Sequence, residues 1–93
     1  MPRPVIVKAR FQRAYDRLGT AEQLRVKQAL QSFQAYLDSG TAPVGFGLRK
    51  LAPGLYEFRA GLALRCVCVE HDEVLVLALL GSHDEIRQFL RRA

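Results

Sequence analysis

The sequence predicts a small α+β domain in which a mainly antiparallel sheet is covered on one face by a helical hairpin. Apolar residues recur at helical spacing between residues 11 and 37, whereas residues 48–81 form strand-like runs rich in valine, leucine and aromatic residues. Glycines and capping sequences separate these segments. The predicted order is β-α-α-β-β-β-α, with a four-stranded sheet and a C-terminal helix.

Length and composition are those of one globular domain over residues 1–93. The hydrophobic content of 49% argues against disorder. The 14 basic and nine acidic residues give a net charge of +5, which suits a nucleic acid, a ribosomal surface or an acidic protein partner. No secretory signal and no membrane-length apolar run is apparent, so we expect a cytoplasmic protein without a membrane partner.

The first half of the chain predicts one short strand and two helices. Residues 4–8 have the composition of a strand, and residues 11–18 have apolar side chains at helical spacing. Thr20-Ala21-Glu22-Gln23 has the spacing of a capping box, so a second helix is expected to begin there and to end at Gly40.

The second half predicts three strands and a last helix. The first strand covers residues 48–50 and continues weakly into residues 55–60, and the others cover residues 64–69 and 74–80. A three-residue loop at 61–63 and a tight turn at His71-Asp72 join them. Ser82-His83-Asp84-Glu85 is a capping box that opens the C-terminal helix.

Loop lengths predict the strand register. The three-residue loop places Arg59 opposite Arg65 and Glu57 opposite Val67, and the tight turn places Val69 opposite Val74. One face of the sheet then carries the charges together with Val67, Val69, Val74 and Val76. The other face is bulky and uncharged and should pack on the helical hairpin; it carries Tyr56, Phe58, Leu64, Cys66, Cys68, Leu75, Leu77 and Leu79.

The charged residues of the second half are the candidate functional site. Charges inside apolar strands are costly to bury, so we expect them to share a solvent-facing surface: Arg49, Lys50, Glu57, Arg59, Arg65 and His83. Several cations with a carboxylate and an imidazole suit a polyanion and acid–base chemistry on it. Arg10, Arg13 and Arg17 line one side of the first helix; they form either a solvated face or an additional contact to a polyanion.

The two cysteines, Cys66 and Cys68, lie two residues apart in one strand and are predicted to be reduced core residues. A metal site that combines them with His71 and Asp72 is not expected, because the sequence has no C-x-x-C pair. We therefore predict no metal and no cofactor.

The chain resembles the RelE/ParE superfamily of toxins from bacterial toxin–antitoxin pairs. The element order carries this resemblance, as does the string Leu48-Arg49-Lys50-Leu51-Ala52-Pro53-Gly54-Leu55-Tyr56-Glu57-Phe58-Arg59-Ala60-Gly61. The strand around Arg65 and the apolar strand that leads to His83 fill the family's next two places. The likeness covers nearly the whole chain.

For a RelE-like member, the resemblance implies a metal-independent endoribonuclease that cleaves mRNA on the ribosome and inhibits translation. A ribose 2′-hydroxyl attacks the adjacent phosphate. By position, Arg65 would hold that phosphate, Glu57 or His83 would be the general base, and His83 could instead protonate the leaving oxygen. The further cations would contact phosphates or stabilise the transition state: Lys50, Arg49, Arg59, Arg10 and Arg13.

The face that carries Val67, Val69, Val74 and Val76, which we call the valine face, would be a partly exposed apolar patch unless the C-terminal helix or a partner segment covers it. The resemblance implies an antitoxin partner, a segment of which would cover this face. Two other functions stay open. A ParE-like toxin would keep the fold and poison DNA gyrase by binding, and a catalytically silent member would serve as an antitoxin- or RNA-binding module.

Overall fold

The computed structural model describes residues 3–92. The elements along the chain are β1 (Val5–Val7), α1 (Ala9–Asp16), α2 (Thr20–Ser39), β2 (Arg49–Ala52), β3 (Leu55–Arg59), β4 (Arg65–His71), β5 (Val74–Gly81) and α3 (His83–Arg92). The predicted α+β class is confirmed, but the sheet has five strands where four were expected. None of the helices in this part of the chain is long and apolar enough to cross a membrane.

The five strands form one sheet in the order β1-β5-β4-β3-β2. β1 runs parallel to β5, and the three remaining neighbouring pairs are antiparallel. Helices α1 and α2 pack on one face of the sheet, and α3 packs on the other. The long strand β5 is therefore flanked by strands on both edges over its first half and contacted by helices from both faces.

The extra strand arises because residues 48–60 form a hairpin, β2 and β3, rather than one long strand. A turn at Pro53-Gly54 reverses the chain, and Ala52 pairs with Leu55 across it. Gly54 has φ +75°, and a Cβ there would lie 2.7 Å from the carbonyl oxygen of Glu70. The turn packs so closely on β4 that only glycine fits without a backbone shift.

The core on the helical face is built around stacked aromatic rings. The ring of Phe58 in β3 stacks on Phe33 of α2 at 4.7 Å and on Phe46 at 5.0 Å, measured between centroids. Cys66 and Cys68 are buried in the same layer and unpaired, as predicted. Burial raises the pKa of the Cys66 thiol to about 12, and that of Cys68 is also raised by burial. Neither thiol is therefore a nucleophile at neutral pH.

The register of the hairpin between β3 and β4 is as predicted. Arg59 lies opposite Arg65 and Glu57 lies opposite Val67. The backbone N–H of Ala60 donates to the carbonyl oxygen of Leu64 at 2.9 Å, which closes the three-residue loop.

The register predicted for the hairpin between β4 and β5 is wrong. Its turn is Asp72-Glu73, both with positive φ, and Val69 lies opposite Val76 rather than Val74. Two residues with positive φ form a primed turn, whose twist matches that of the strands. A bulge opposite Val67 and Cys68 then adds one residue to β5, so that Leu79 lies on the valine face instead of the helical face.

Helix α3 covers the upper part of the valine face. Val67 is fully buried beneath it, together with Leu79 and Ile86. The remaining three valines of that face, Val69, Val74 and Val76, are half-buried. This face, which also carries the charged residues, is thus only partly open to solvent, and the C-terminal helix is one of the two covers expected for it.

The capping box at the start of α3 is confirmed, whereas the one expected for α2 is absent. The N–H of Ser82 donates to Glu85 Oε1 at 2.9 Å, and the N–H of Glu85 donates to Ser82 Oγ at 3.2 Å. Helix α2 begins at Thr20 with Gly19 as its N-cap and no side-chain cap hydrogen bond. Its C-cap, Gly40, has φ +79° and closes the helix as predicted.

Replacing Phe58 with alanine would remove the central ring of the aromatic stack. Because the site is fully buried, we expect a loss of about 3–5 kcal/mol of unfolding free energy. Denaturant titration measures this loss. Val44→Ala is the control, since Val44 is fully exposed and its loss should change the stability by less than about 0.5 kcal/mol. A Phe58 variant as stable as the control would contradict the packing described here.

Glu85 makes the stability of the protein depend on pH. The hydrogen bond from the Ser82 backbone N–H, followed by that of its side chain, lowers the pKa of the Glu85 carboxyl. A carboxyl with a lowered folded-state pKa stabilises the fold above its unfolded pKa of about 4.3, and this contribution is lost as the pH falls through the folded value.

We therefore expect Glu85→Gln to destabilise the protein by about 0.5 kcal/mol at pH 7, and by less as the pH falls below 4. Thermal denaturation of the variant and the wild-type protein at pH 7 and below pH 4 measures this loss of stability. Asp84→Asn is the matched control, because it removes a charge from the same helical turn without touching the capping box. A pH-independent difference between the two variants would contradict the assignment.

Candidate active site

The centre of the candidate site is the side chain of Glu57, in the middle of β3. The residue is only 3% exposed. Its two carboxylate oxygens face two arginines: Oε1 lies 3.8 Å from Nη1 of Arg49, and Oε2 lies 3.7 Å from Nη1 of Arg65. Strand register explains this arrangement, since Arg49 of β2 lies directly opposite Glu57 and Arg65 of β4 is two residues from its other partner, Val67.

The two ion pairs are long, and neither is a hydrogen bond. Among residues 3–92, no donor hydrogen-bonds the Glu57 carboxylate. A buried carboxylate that is compensated by charge but not capped by donors keeps lone pairs that can accept a proton. Arg65 is 18% exposed and Arg49 is 55% exposed, so the pair of cations leads from the buried carboxylate to the surface.

Helix α3 completes this site from above. A cavity of about 310 Å³ lies between the sheet and the helix, lined by Arg49, Leu51, Glu57, Ile86, Arg87, Leu90 and Arg91. Three arginines, Arg49, Arg87 and Arg91, thus line the cavity together with the carboxylate, and Arg65 faces the carboxylate from β4. The surplus of positive charge suits an anionic group such as a phosphate.

His83 joins the site through Arg87. It is the first residue of α3, two residues after Gly81, which lies opposite Arg65. Arg87 Nε donates a hydrogen bond to His83 Nε2 at 2.9 Å, so a neutral imidazole carries its proton on Nδ1. Within residues 3–92, Nδ1 is buried and has no hydrogen-bond partner.

Arg87 and Arg91 are the functional candidates that the sequence analysis missed. Their signal was the spacing of His83, Arg87 and Arg91, each four residues apart, which places all three on one side of a helix. That side became interpretable only when the structure showed α3 lying over β3 and β4.

Two predicted members of the site lie elsewhere. Lys50 pairs with Tyr56, so its backbone position is on the opposite face of the sheet from Glu57. Arg59 lies directly opposite Arg65, on the same face of the sheet. Its side chain, however, runs over Gly47 and lines a separate cavity of about 470 Å³ beside α2. The structure therefore brings together Glu57, Arg65 and Arg49, with His83 linked to them through Arg87.

Arg10 and Arg13 line a third cavity, a groove of about 370 Å³ between α1 and α3. Arg17 and Arg92 lie along the same groove, and the guanidinium of Arg10 stands 4.6 Å from the centroid of the Phe89 ring. None of these four arginines forms an ion pair with another residue of the described chain. The basic stripe of α1 is thus one wall of a cationic groove.

Metal ligation and thiol chemistry have no visible basis in the described residues. Residues 3–92 contain no group of three or more histidine, cysteine, aspartate or glutamate side chains that could hold a metal ion. The chemistry that the site can perform is proton transfer by Glu57 and His83, and stabilisation of negative charge by the surrounding arginines.

The fold matches solved structures of known toxins. An archaeal RelE in a RelE–RelB complex from Pyrococcus horikoshii aligns with a TM-score of 0.66 and 24% identity, over 88% of this chain and 96% of that chain. A copper-bound mutant toxin from Helicobacter pylori aligns with a TM-score of 0.64 and 21% identity, over 90% and 98%. The Escherichia coli DinJ–YafQ toxin–antitoxin complex aligns with a TM-score of 0.62 and 12% identity, over 92% of this chain and 98% of that chain.

No protein-family model and no curated protein matches the sequence. At these identities, the structural likeness shows the fold alone. The resemblance of the sequence to the RelE/ParE superfamily is confirmed for the fold, and this chain has the RelE-like toxin fold.

Proposed function

We propose that this protein is the toxin of a bacterial toxin–antitoxin pair and a metal-independent endoribonuclease that cleaves mRNA on the ribosome. The observation that carries the proposal is the buried Glu57 carboxylate between Arg49 and Arg65, at the floor of a cationic cavity. The solved structures named above are toxins and toxin–antitoxin complexes, which supports the part of the proposal that concerns a toxin with an antitoxin partner.

In the proposed reaction, Glu57 accepts the proton of a ribose 2′-hydroxyl. The 2′ oxygen forms a bond to the adjacent phosphorus while the bond from phosphorus to the 5′ oxygen breaks, and His83 gives that oxygen a proton. The products are a 2′,3′-cyclic phosphate and a 5′-hydroxyl end. Arg65 and Arg49 stabilise the charge that develops on the phosphoryl oxygens.

Arg87 links substrate binding to the protonation of His83. A protonated imidazole has no lone pair on Nε2, so the hydrogen bond from Arg87 must open before His83 can act as an acid. A phosphate that entered the cavity would attract Arg87, since Arg87 lines that cavity. Binding of the anion thereby frees the imidazole that the leaving oxygen requires.

The other predicted cations contact RNA away from the reacting phosphate. Arg10 and Arg13 would bind phosphates in the groove between α1 and α3, and Arg59 and Lys50 would bind phosphates beside the sheet. Their role is affinity rather than chemistry, because they do not reach the Glu57 cluster.

The proposed partner is a cognate antitoxin, met in the cytoplasm. The valine face, where Val69, Val74 and Val76 remain half-buried, is a surface that a partner segment would cover. β1 is an edge strand whose three side chains are about half-exposed, and it borders this face.

Replacing Arg65 tests the proposed ribonuclease. We expect induced wild-type protein to arrest growth of a bacterial host and to create new mRNA 5′ ends, and Arg65→Ala to lower cleavage at least about 100-fold. Arg65→Ala also removes one of the two cations that lie within 4 Å of the buried Glu57 carboxylate, which costs about 3 kcal/mol of stability. The double variant Glu57→Gln/Arg65→Ala is the control, because it should regain the stability but not the cleavage.

The outcomes separate the proposed function from its two alternatives. Growth arrest with intact mRNA would contradict the ribonuclease and favour a gyrase poison, and inhibition of purified gyrase would then be measured. Continued growth with soluble wild-type protein would favour a silent antitoxin- or RNA-binding module.

Replacing Arg10 and Arg13 tests the proposed RNA groove. For binding of a single-stranded RNA, we expect Arg10→Ala/Arg13→Ala to make the slope of log affinity against log salt concentration less steep by about 1.4. This value corresponds to the loss of two phosphate contacts at about 0.7 each. Fluorescence anisotropy at several salt concentrations measures this slope. Lys27→Ala removes an exposed cation of α2 outside the groove and should leave the slope unchanged. Equal slopes for both variants would contradict a phosphate contact in this groove.

A further inference from the structure

The cavity beside α2 is flanked by two aliphatic side chains that touch almost nothing. Val44, in the loop before β2, and Leu62, at the tip of the hairpin between β3 and β4, have relative exposures of 107% and 106%. They stand on the rim of the cavity of about 470 Å³, whose floor includes Ala29, Phe46 and Ala60. Exposed aliphatic groups beside an apolar floor are typical of a docking surface.

Two arginines add charge to this groove. Arg25 of α2 and Arg59 of β3 both line it, and neither has an acidic partner within residues 3–92. An acidic group from another molecule that enters the groove would therefore find two cations of complementary charge.

Two glycines make room for these arginines. A Cβ on Gly47 would lie 3.0 Å from Cγ of Arg59 and 3.1 Å from its Nε, and a Cβ on Gly61 would lie 3.3 Å from Cδ of Arg25. Both arginine stems thus run along the backbone of a loop. Packing of this kind restricts a long side chain before binding, which reduces the entropy lost when a partner is bound.

We propose that this groove, which we call the Arg25–Arg59 groove, binds an acidic and apolar segment of the antitoxin. A carboxylate of the segment pairs with Arg25 and Arg59, and an aliphatic side chain packs between Val44 and Leu62. The inference rests on the proposed antitoxin partner. It gives the antitoxin a second contact region, separate from the valine face. Because Arg59 is also a proposed RNA contact, the segment competes with RNA for that cation.

A protein segment fits this groove better than RNA does. Single-stranded RNA is held by bases that stack on exposed aromatic rings. The one aromatic side chain of the lining, Phe46, is buried, and the exposed apolar side chains, Val44 and Leu62, are aliphatic. Carboxylate and aliphatic groups together are the chemistry of an amphipathic peptide.

The test is a titration of the isotope-labelled full chain, followed by NMR, with a short synthetic peptide containing glutamate and leucine. We expect the largest shifts at Val44, Leu62 and Arg25, and about tenfold weaker binding for Arg25→Glu. Lys27→Glu is the matched control, since it makes the same charge change on the same helix outside the groove and should weaken binding less than about twofold. A peptide with glutamine in place of glutamate should bind as weakly as the Arg25 variant.

Three outcomes would overturn the inference. These are shifts confined to other surfaces, equal effects of Arg25→Glu and Lys27→Glu, and an oligouridine that occupies the groove while the peptide does not. A concentration-dependent dimer that buries Val44 and Leu62, seen by sedimentation before any peptide is added, would instead assign the groove to a second copy of the chain. If the peptide binds in the groove but the protein does not arrest growth of the host, the docking proposal is supported and the proposed toxin activity is contradicted.

Discussion

A carboxylate can be buried in a protein only when cations or hydrogen-bond donors replace the water that it loses. Glu57 meets this condition through Arg49 and Arg65, which reach it from the strands on either side. The sheet must therefore hold β2, β3 and β4 in one register, because a slip of one residue would send an arginine into the aromatic core and leave the carboxylate uncompensated. The charge at the centre of the sheet thus fixes its pairing.

The bulge in β5 determines how the last helix meets this centre. One added residue places Leu79 on the same face as Val67, and Ile86 of α3 packs on both. Without the added residue, Leu79 would lie in the helical core and α3 would lose its apolar support. The helix that packs there contributes Arg87 and Arg91, so two of the three arginines that line the cavity depend on the bulge in β5.

The sequence analysis succeeded where a single physical rule decided the outcome. The length of one loop set Arg59 opposite Arg65, and the capping residues Ser82 and Glu85 located the start of α3. The hairpin of β2 and β3 was missed although Pro53-Gly54 is a local turn signal. The bulge in β5 could not be predicted, because it depends on what covers each face of the sheet and leaves no periodic signal in the chain.

The candidate site was predictable in composition but not in arrangement. Alternation along the strands correctly grouped Glu57 with Arg65, since both belong to one hairpin. Lys50 was misplaced relative to Glu57 because β2 is a separate short strand with its own register. The direction that Arg59 takes depends on the space above Gly47, a property of a loop that no pattern of residues encodes.

The parallel pairing of β1 with β5 has a consequence for how the chain folds. Val5 of β1 lies opposite Leu75 of β5, so β1 can join the sheet only after β5 has been synthesised. Closing so long a loop is slow compared with forming the hairpins of β2 to β5. We expect the hairpins to form the folding nucleus and β1 to dock late. The sheet would then be complete only after β5 has been synthesised, which delays the appearance of the native fold relative to the synthesis of its first strand.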